Sequence, residues 1–201
     1  MATLSANNYT ITGIDLYFCS SIAPAALDAG TTNGQGSTFR TATRNLGNIV
    51  SADFAPEITY LEHFVTAADG DRRRDHMIAT TKTLTIPFVF DEMNENNLTR
   101  YFYGQSVTDA SCDAATPVFS VMSQEKIIGA AQIYVRTDIG NDFVYMIPKC
   151  MISPDGNMSM NTEDWWNGPM KLDVLYHEWA PPNIASNTNT YYGIISVKAI
   201  S

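Results

Sequence analysis

Apolar and polar residues alternate along much of this chain. In the run Thr83–Phe90, Leu84, Ile86, Phe88 and Phe90 fall on one side, with Thr83, Thr85, Pro87 and Val89 on the other. Met170, Leu172, Val174 and Tyr176 alternate with Lys171, Asp173, Leu175 and His177. Ala131, Ile133 and Val135 alternate with Gln132, Tyr134 and Arg136, and Ile14, Leu16 and Phe18 repeat the pattern near the start. A period of two is that of a strand with one face in a core. Phe143–Met151 is apolar on both sides, which predicts a strand covered twice or lying against a neighbouring subunit. A last β-rich run spans Tyr191–Val197. Pro87 has no N–H to give a ladder, so its strand is expected at an edge or with a bulge.

One helix is predicted, over about residues 92–103. Asp91 is a suitable N-cap, Glu92 and Glu95 place negative charge in the first turns, and Gly104 stands where a helix stops. Leu98, Tyr101 and Phe102 share one face at spacings of three and four, so the helix must lie on a sheet. Three stretches read as irregular: Ala29–Thr43, rich in Gly, Ser, Thr and Asn; Thr66–Ala79, with its Asp/Arg-rich centre; and Ile184–Thr190. With no internal repeat and no linker, residues 1–201 are expected to form a single, mainly β domain. Its architecture is expected to be a two-sheet β-sandwich or barrel with one short α-helix.

A chain of 201 residues buries roughly 70% of the surface its unfolded form exposes, and so requires no disulfide or metal to fold. No apolar run approaches the roughly 20 residues of a membrane-spanning helix, and the N-terminus lacks the basic start and apolar core of a secretory signal. Synthesis in a cytoplasm, without membrane insertion, is the expectation. Cys19, Cys112 and Cys150 are widely spaced and odd in number, which argues against a disulfide framework or a zinc site. The Asn-x-Ser/Thr matches at Asn8, Asn97 and Asn157 mean little without a secretory route. The formal charge of -9, from 21 acidic and 12 basic residues, disfavours a protein that grips phosphate backbones. It is compatible with a wall past which DNA slides, since acidic surfaces offer phosphates nowhere to stick.

A search for catalytic chemistry yields no catalytic residue, no cofactor site and no metal ligands. His177-Glu178 begins like a zinc-protease motif, but Pro181 stands where the second histidine belongs, and the run alternates like a strand. His63 and Glu62 fall on opposite faces of an extended run, which defeats acid/base pairing. Gly34-Gln35-Gly36-Ser37 lacks the lysine of a phosphate loop, and no Gly-x-Ser-x-Gly elbow occurs. Trp165-Trp166 are adjacent aromatics suited to capping a core or sealing a subunit contact; a sugar platform is the other reading. Arg72, Arg73 and Arg74 form a basic cluster neutralised locally by Asp69, Asp71 and Asp75. It reads as a solvated hairpin tip or as a tip that docks on another subunit.

The order of these features resembles a known family. Asn48-Ile-Val-Ser-Ala-Asp-Phe-Ala-Pro-Glu-Ile-Thr-Tyr-Leu-Glu-His-Phe leads into the Asp/Arg-rich tip. Thr80-Thr-Lys-Thr-Leu-Thr-Ile-Pro-Phe-Val-Phe-Asp-Glu-Met-Asn-Glu-Asn-Asn-Leu follows, then the helix and Gly104. A threonine-laced strand ending in an acidic residue, a short helix and a closing glycine resemble the siphophage major tail tube proteins. The run Asn167-Gly-Pro-Met-Lys-Leu-Asp-Val-Leu-Tyr-His-Glu, with Tyr192-Gly193, is similar to that family's last strands. The resemblance covers about half of the chain, mostly Asn48–Gly104.

It implies two packed β-sheets plus a helix, homo-hexameric rings stacked into a hollow tube, and no enzymatic activity. It also implies a virion tail location, a tape-measure protein and a tail terminator as partners, and DNA passing through the lumen without sequence-specific binding. An extended hairpin loop at about 64–79 would reach the adjacent ring, with Phe64, Asp69, Asp71, Arg72, Arg73, Arg74, Asp75 and His76 as its contacts. Two departures stand out: the insertion at about 29–43, and no appended C-terminal domain of the kind some relatives carry. Two other readings stay open. One is a different tail component, such as a terminator, a completion protein or a contractile-injection tube subunit. The other is a carbohydrate-binding adhesin module using Trp165 and Trp166.

Overall fold

The computed structural model describes residues 11–20, 27, 39–40, 44–66, 68–107, 118–138, 141–158, 166–179 and 191–199. In chain order the strands begin with β1 (Ile11–Cys19), β2 (Asn45–Ala52), β3 (Ala55–Thr66) and β4 (Arg72–Phe90). A short helix, α1 (Glu95–Tyr101), is followed by β5 (Gln105–Val107), β6 (Val118–Ser120), β7 (Ile127–Thr137) and β8 (Asn141–Pro154). β9 (Gly168–Val174) and β10 (Ile194–Ala199) complete the set.

The mainly β expectation holds, and the strand pairing favours a barrel. One antiparallel sheet of eight strands runs β10-β8-β7-β1-β2-β4-β3, and β9 bonds to both β4 and β8. That bridge closes β8, β7, β1, β2, β4 and β9 into a ring, leaving β10 on the outer edge of β8 and β3 beyond β2 along β4. β5 and β6 form a separate two-stranded ribbon.

The core follows from the alternation. Ile86 and Phe88 of β4 stand directly opposite Leu172 and Met170 of β9, and all four are buried. Leu16, Phe18, Leu46, Ile133, Ile147 and Ile152 fill the rest of the interior. Inward side chains suffice to pack a barrel this small. β8 is indeed covered twice. Tyr145, Ile147 and Ile152 face the interior, while Val144 and Met146 join Ala130 and Tyr134 in a second cluster with Leu27 and Phe39. Phe39 lies in the expected insertion at 29–43, and the next residue, Arg40, sits 4.7 Å above the Tyr134 ring. The remainder of that stretch lies outside the described residues, as does the Ile184–Thr190 loop.

Pro87 is not on an edge, because β4 is flanked on both sides there. It lies where β2 gives way to β3, and its carbonyl accepts the Asp53 N–H at 2.9 Å. Within a strand a residue's nitrogen and carbonyl point the same way, so the missing donor faces the break and costs no ladder bond.

The helix is shorter than predicted and begins at Glu95 rather than at about residue 92. Asn94 is the N-cap, its side chain accepting from Asn97 N–H at 2.9 Å. Asp91, the expected cap, instead accepts from Asn48 Nδ2 at 2.7 Å. Asn97, buried, donates to the carbonyls of Leu46 and Glu92 and so ties the helix to β2. Gly104 does mark the end of the helical stretch, through close approach: a Cβ there would stand 2.3 Å from the Ser120 carbonyl. Among the described residues no helix is long and apolar enough to cross a membrane.

Candidate functional site

The most exposed element is a two-stranded arm. Beyond the segment bonded to β9, β3 and β4 continue as a hairpin from Glu57↔Thr83 to Thr66↔Arg72. At roughly 3.3 Å per residue the arm projects about 30 Å from the barrel. Every residue of β3 is exposed, and β4 is exposed from Arg72 to Thr83. The stretch Thr66–Ala79, expected to be irregular, is therefore mostly strand, and the turn is confined to the tip. There Asp69 accepts from the Asp71 N–H at 3.1 Å, and Gly70 takes φ +87°, a left-handed conformation that glycine adopts without a Cβ clash.

Register assigns the two faces. Ile58, Tyr60, Glu62 and Phe64 stand opposite Lys82, Ala79, Met77 and Arg74 on one face. On the other, Thr59, Leu61, His63 and Val65 stand opposite Thr81, Ile78, His76 and Arg73. Each face thus mixes apolar and charged side chains, and both carry large exposed hydrophobics: Ile58, Tyr60, Phe64 and Met77 on the first, Leu61, Val65 and Ile78 on the second. An isolated hairpin is marginally stable in water, and contiguous exposed apolar surface marks an interaction site.

The predicted contact residues all lie on this arm. Arg72 stacks 5.4 Å over the Phe64 ring. Arg73 pairs with Asp69 and, more distantly, Asp71, and Arg74 donates to Glu62 at 2.6 Å. The expected local neutralisation is thus met in part: of the flanking acids, Asp69 and Asp71 reach Arg73, whereas Arg74 takes Glu62 from the facing strand. Exposed pairs of this kind contribute at most about 1 kcal/mol each. Two bulges interrupt the ladder, at Thr80 and at Asp75. Asp75, the extra residue between Arg74 and His76, turns its carboxylate to His63 Nδ1 at 2.7 Å. That hydrogen bond is the main reason its carboxyl titrates below the usual carboxylate value.

A second exposed feature lies beside the base of the arm. Phe54, at the β2–β3 break, approaches the Tyr145 ring at 6.0 Å, and Tyr145 donates to the Tyr192 carbonyl at 2.8 Å. Tyr176 stacks on Tyr191 at 5.2 Å and meets Tyr192 edge-on. Among the described residues the adjoining β10 is paired on one edge alone, and it exposes Ile195 and Val197. Sequence reading missed this aromatic surface because its members are scattered over four separate segments.

Of the two adjacent tryptophans, Trp166 turns inward, edge-on to Phe90 at 5.2 Å, and packs against the barrel core. Trp165 lies outside the described residues. His177 follows β9 in a non-helical segment, its N–H bonded to the Tyr191 carbonyl. Cys150 is wholly buried, and burial pushes its thiol well above its ordinary range. Cys112 and the Gly34–Ser37 stretch lie outside the described residues. No family model matches the chain, and no curated protein matches it.

Proposed function

We propose that this chain is a structural subunit of a phage tail tube, assembling as hexameric rings that stack into a hollow conduit for DNA. The observation that carries the reading is the arm: a projecting hairpin with uncovered hydrophobic side chains on both faces. A side chain such as Leu61, 64% exposed, gains free energy only when another surface covers it. An arm needing cover on two faces suits insertion between neighbours in a stack better than a simple one-sided contact.

In this reading Phe64, Asp69, Asp71, Arg72, Arg73, Arg74, Asp75 and His76 contact the next ring, and the arginines exchange some of their internal partners for acids of that ring. The outer edge of β10, unpaired among the described residues, and the aromatic surface beside it serve lateral contacts within a ring, where closed symmetry turns an exposed edge into a specific interface. The net charge of -9 favours a channel that does not retain DNA. A tape-measure protein and a terminator would set the tube's length, in the virion tail.

Negative-stain electron microscopy of the concentrated protein without partners tests this directly. Hollow filaments of stacked rings are the expected result. Single rings alone would shift the assignment to a terminator, and monomers at every concentration would overturn it.

A further inference from the structure

We propose that the arm binds a divalent transition-metal ion through His63 and His76, with Asp75 orienting His63. The inference does not rest on the tube reading, since the pair is complete within one chain. Considered along the sequence, His63 has only Glu62 beside it, on the opposite face. The ladder supplies a different neighbour: His63 and His76 are directly opposed across β3 and β4. Directly opposed residues share a face with Cβ atoms about 4.5–5.5 Å apart. Two imidazoles so placed can reach one ion at the usual bond length of about 2.0–2.1 Å.

The bulge supplies a third group. In an unbroken ladder Asp75 would point away from its neighbour His76, whereas here its carboxylate reaches His63 Nδ1 at 2.7 Å. An ionised carboxylate only accepts, so Nδ1 is the donor in this bond and Nε2 is the nitrogen left for a metal. A histidine held by a carboxylate through one nitrogen, with the other left for a metal, is the usual outer-shell arrangement of protein metal sites.

The surroundings suit an open site. Both histidines are exposed, flanked by Leu61 and Ile78 on one side and by Val65 and Arg73 on the other. The nearby Arg73 charge is offset by Asp69 and Asp71. Among the described residues no group of three or more His, Cys, Asp or Glu is placed to hold a metal ion, so the pair offers two ligands and no third. Two protein ligands therefore leave the remaining positions to water or to a donor from another copy. Imidazole suits nickel, zinc and copper, whereas thiolates favour softer ions. Nickel is thus the probe least exposed to competition from the cysteines.

The experiment is a calorimetric titration of the untagged full chain, kept dilute and unassembled, with Ni²⁺. One saturable site per chain is expected. His63→Gln and His76→Gln should each weaken it by about tenfold or more, and Asp75→Asn by about tenfold through the lost orienting bond. His177→Gln, outside the arm, should leave binding unchanged. All four positions lie outside the barrel core, and circular dichroism would confirm that each variant folds. Absence of saturable binding, or wild-type affinity in His76→Gln, overturns the proposal; equal loss in His177→Gln does the same. Wild-type affinity in Asp75→Asn overturns the role given to the bulge.

Discussion

Replacing Leu61 and Ile78 with threonine removes a directly opposed apolar pair from one face of the arm while placing at both positions a β-branched side chain suited to a strand. Leu61 is 64% exposed and Ile78 53%, so the folded subunit covers less than half of either. Burying such a side chain fully is worth about 1.5–3 kcal/mol, and slightly more than half of each is available to a partner. Allowing for the methyl that threonine retains, the double variant forfeits about 2 kcal/mol per docked arm. That corresponds to a rise of about 30-fold in the concentration at which polymer forms, since each 1.4 kcal/mol is about tenfold. The assay is sedimentation of polymer across a concentration series, with thermal unfolding of the dilute subunit as control. Unfolding should shift by only about 1 kcal/mol, from the part of each side chain already covered within the subunit. An unchanged threshold for assembly would remove this face of the arm from the interface. A large loss of subunit stability would show that the pair supports the fold instead.

Two predictions concern the barrel. Gly129→Ala places a Cβ 2.0 Å from the Cys19 carbonyl and 2.8 Å from the Phe18 ring, so β1 and β7 must part; a loss of about 2–3 kcal/mol in denaturant unfolding is expected. Alkaline conditions should also destabilise the fold. Burial pushes Cys150 and Tyr145 up from ordinary values of 9.0 and 10.0, and burial followed by the Asp142 hydrogen bond raises Tyr134 to about 12. Over that window the unfolded chain has released protons that the folded chain still holds, so stability falls as pH rises. The melting temperature should therefore decline from about pH 9 upward, and a flat profile to about pH 11 would contradict the burial of these groups.

The barrel strands were legible because each presents one face to an interior. Ile86, Phe88 and Phe90 reach the core in the order their alternation predicts, and so do Met170, Leu172 and Val174. The distal arm was not legible for the same reason in reverse. Arg72–His76 has both faces in solvent, so no apolar period marks it, and only its backbone pairing with β3 makes it a strand. The helix start was misplaced because Asp91 and Asn94 are both competent caps, and the choice depends on Asn48, which occupies Asp91 from a distant strand. The residues proposed as contacts lie together on the arm, yet the opposition of His63 and His76 depends on a one-residue bulge at Asp75. Composition and spacing carry no trace of such a register shift.

The continuity of β4 has a mechanical consequence. Its 19 residues run as one strand, bulged at Asp75 and Thr80, from the arm tip to the barrel core, and the core half is bonded to β2 on one side and β9 on the other. A tensile load applied along the arm therefore acts parallel to these strands. It meets the flanking ladders in shear, with their hydrogen bonds resisting together, rather than peeling them open one at a time. The arm is thus a tendon spliced into the body, and a pull on its tip is borne by the packed interior through Ile86, Phe88 and Phe90.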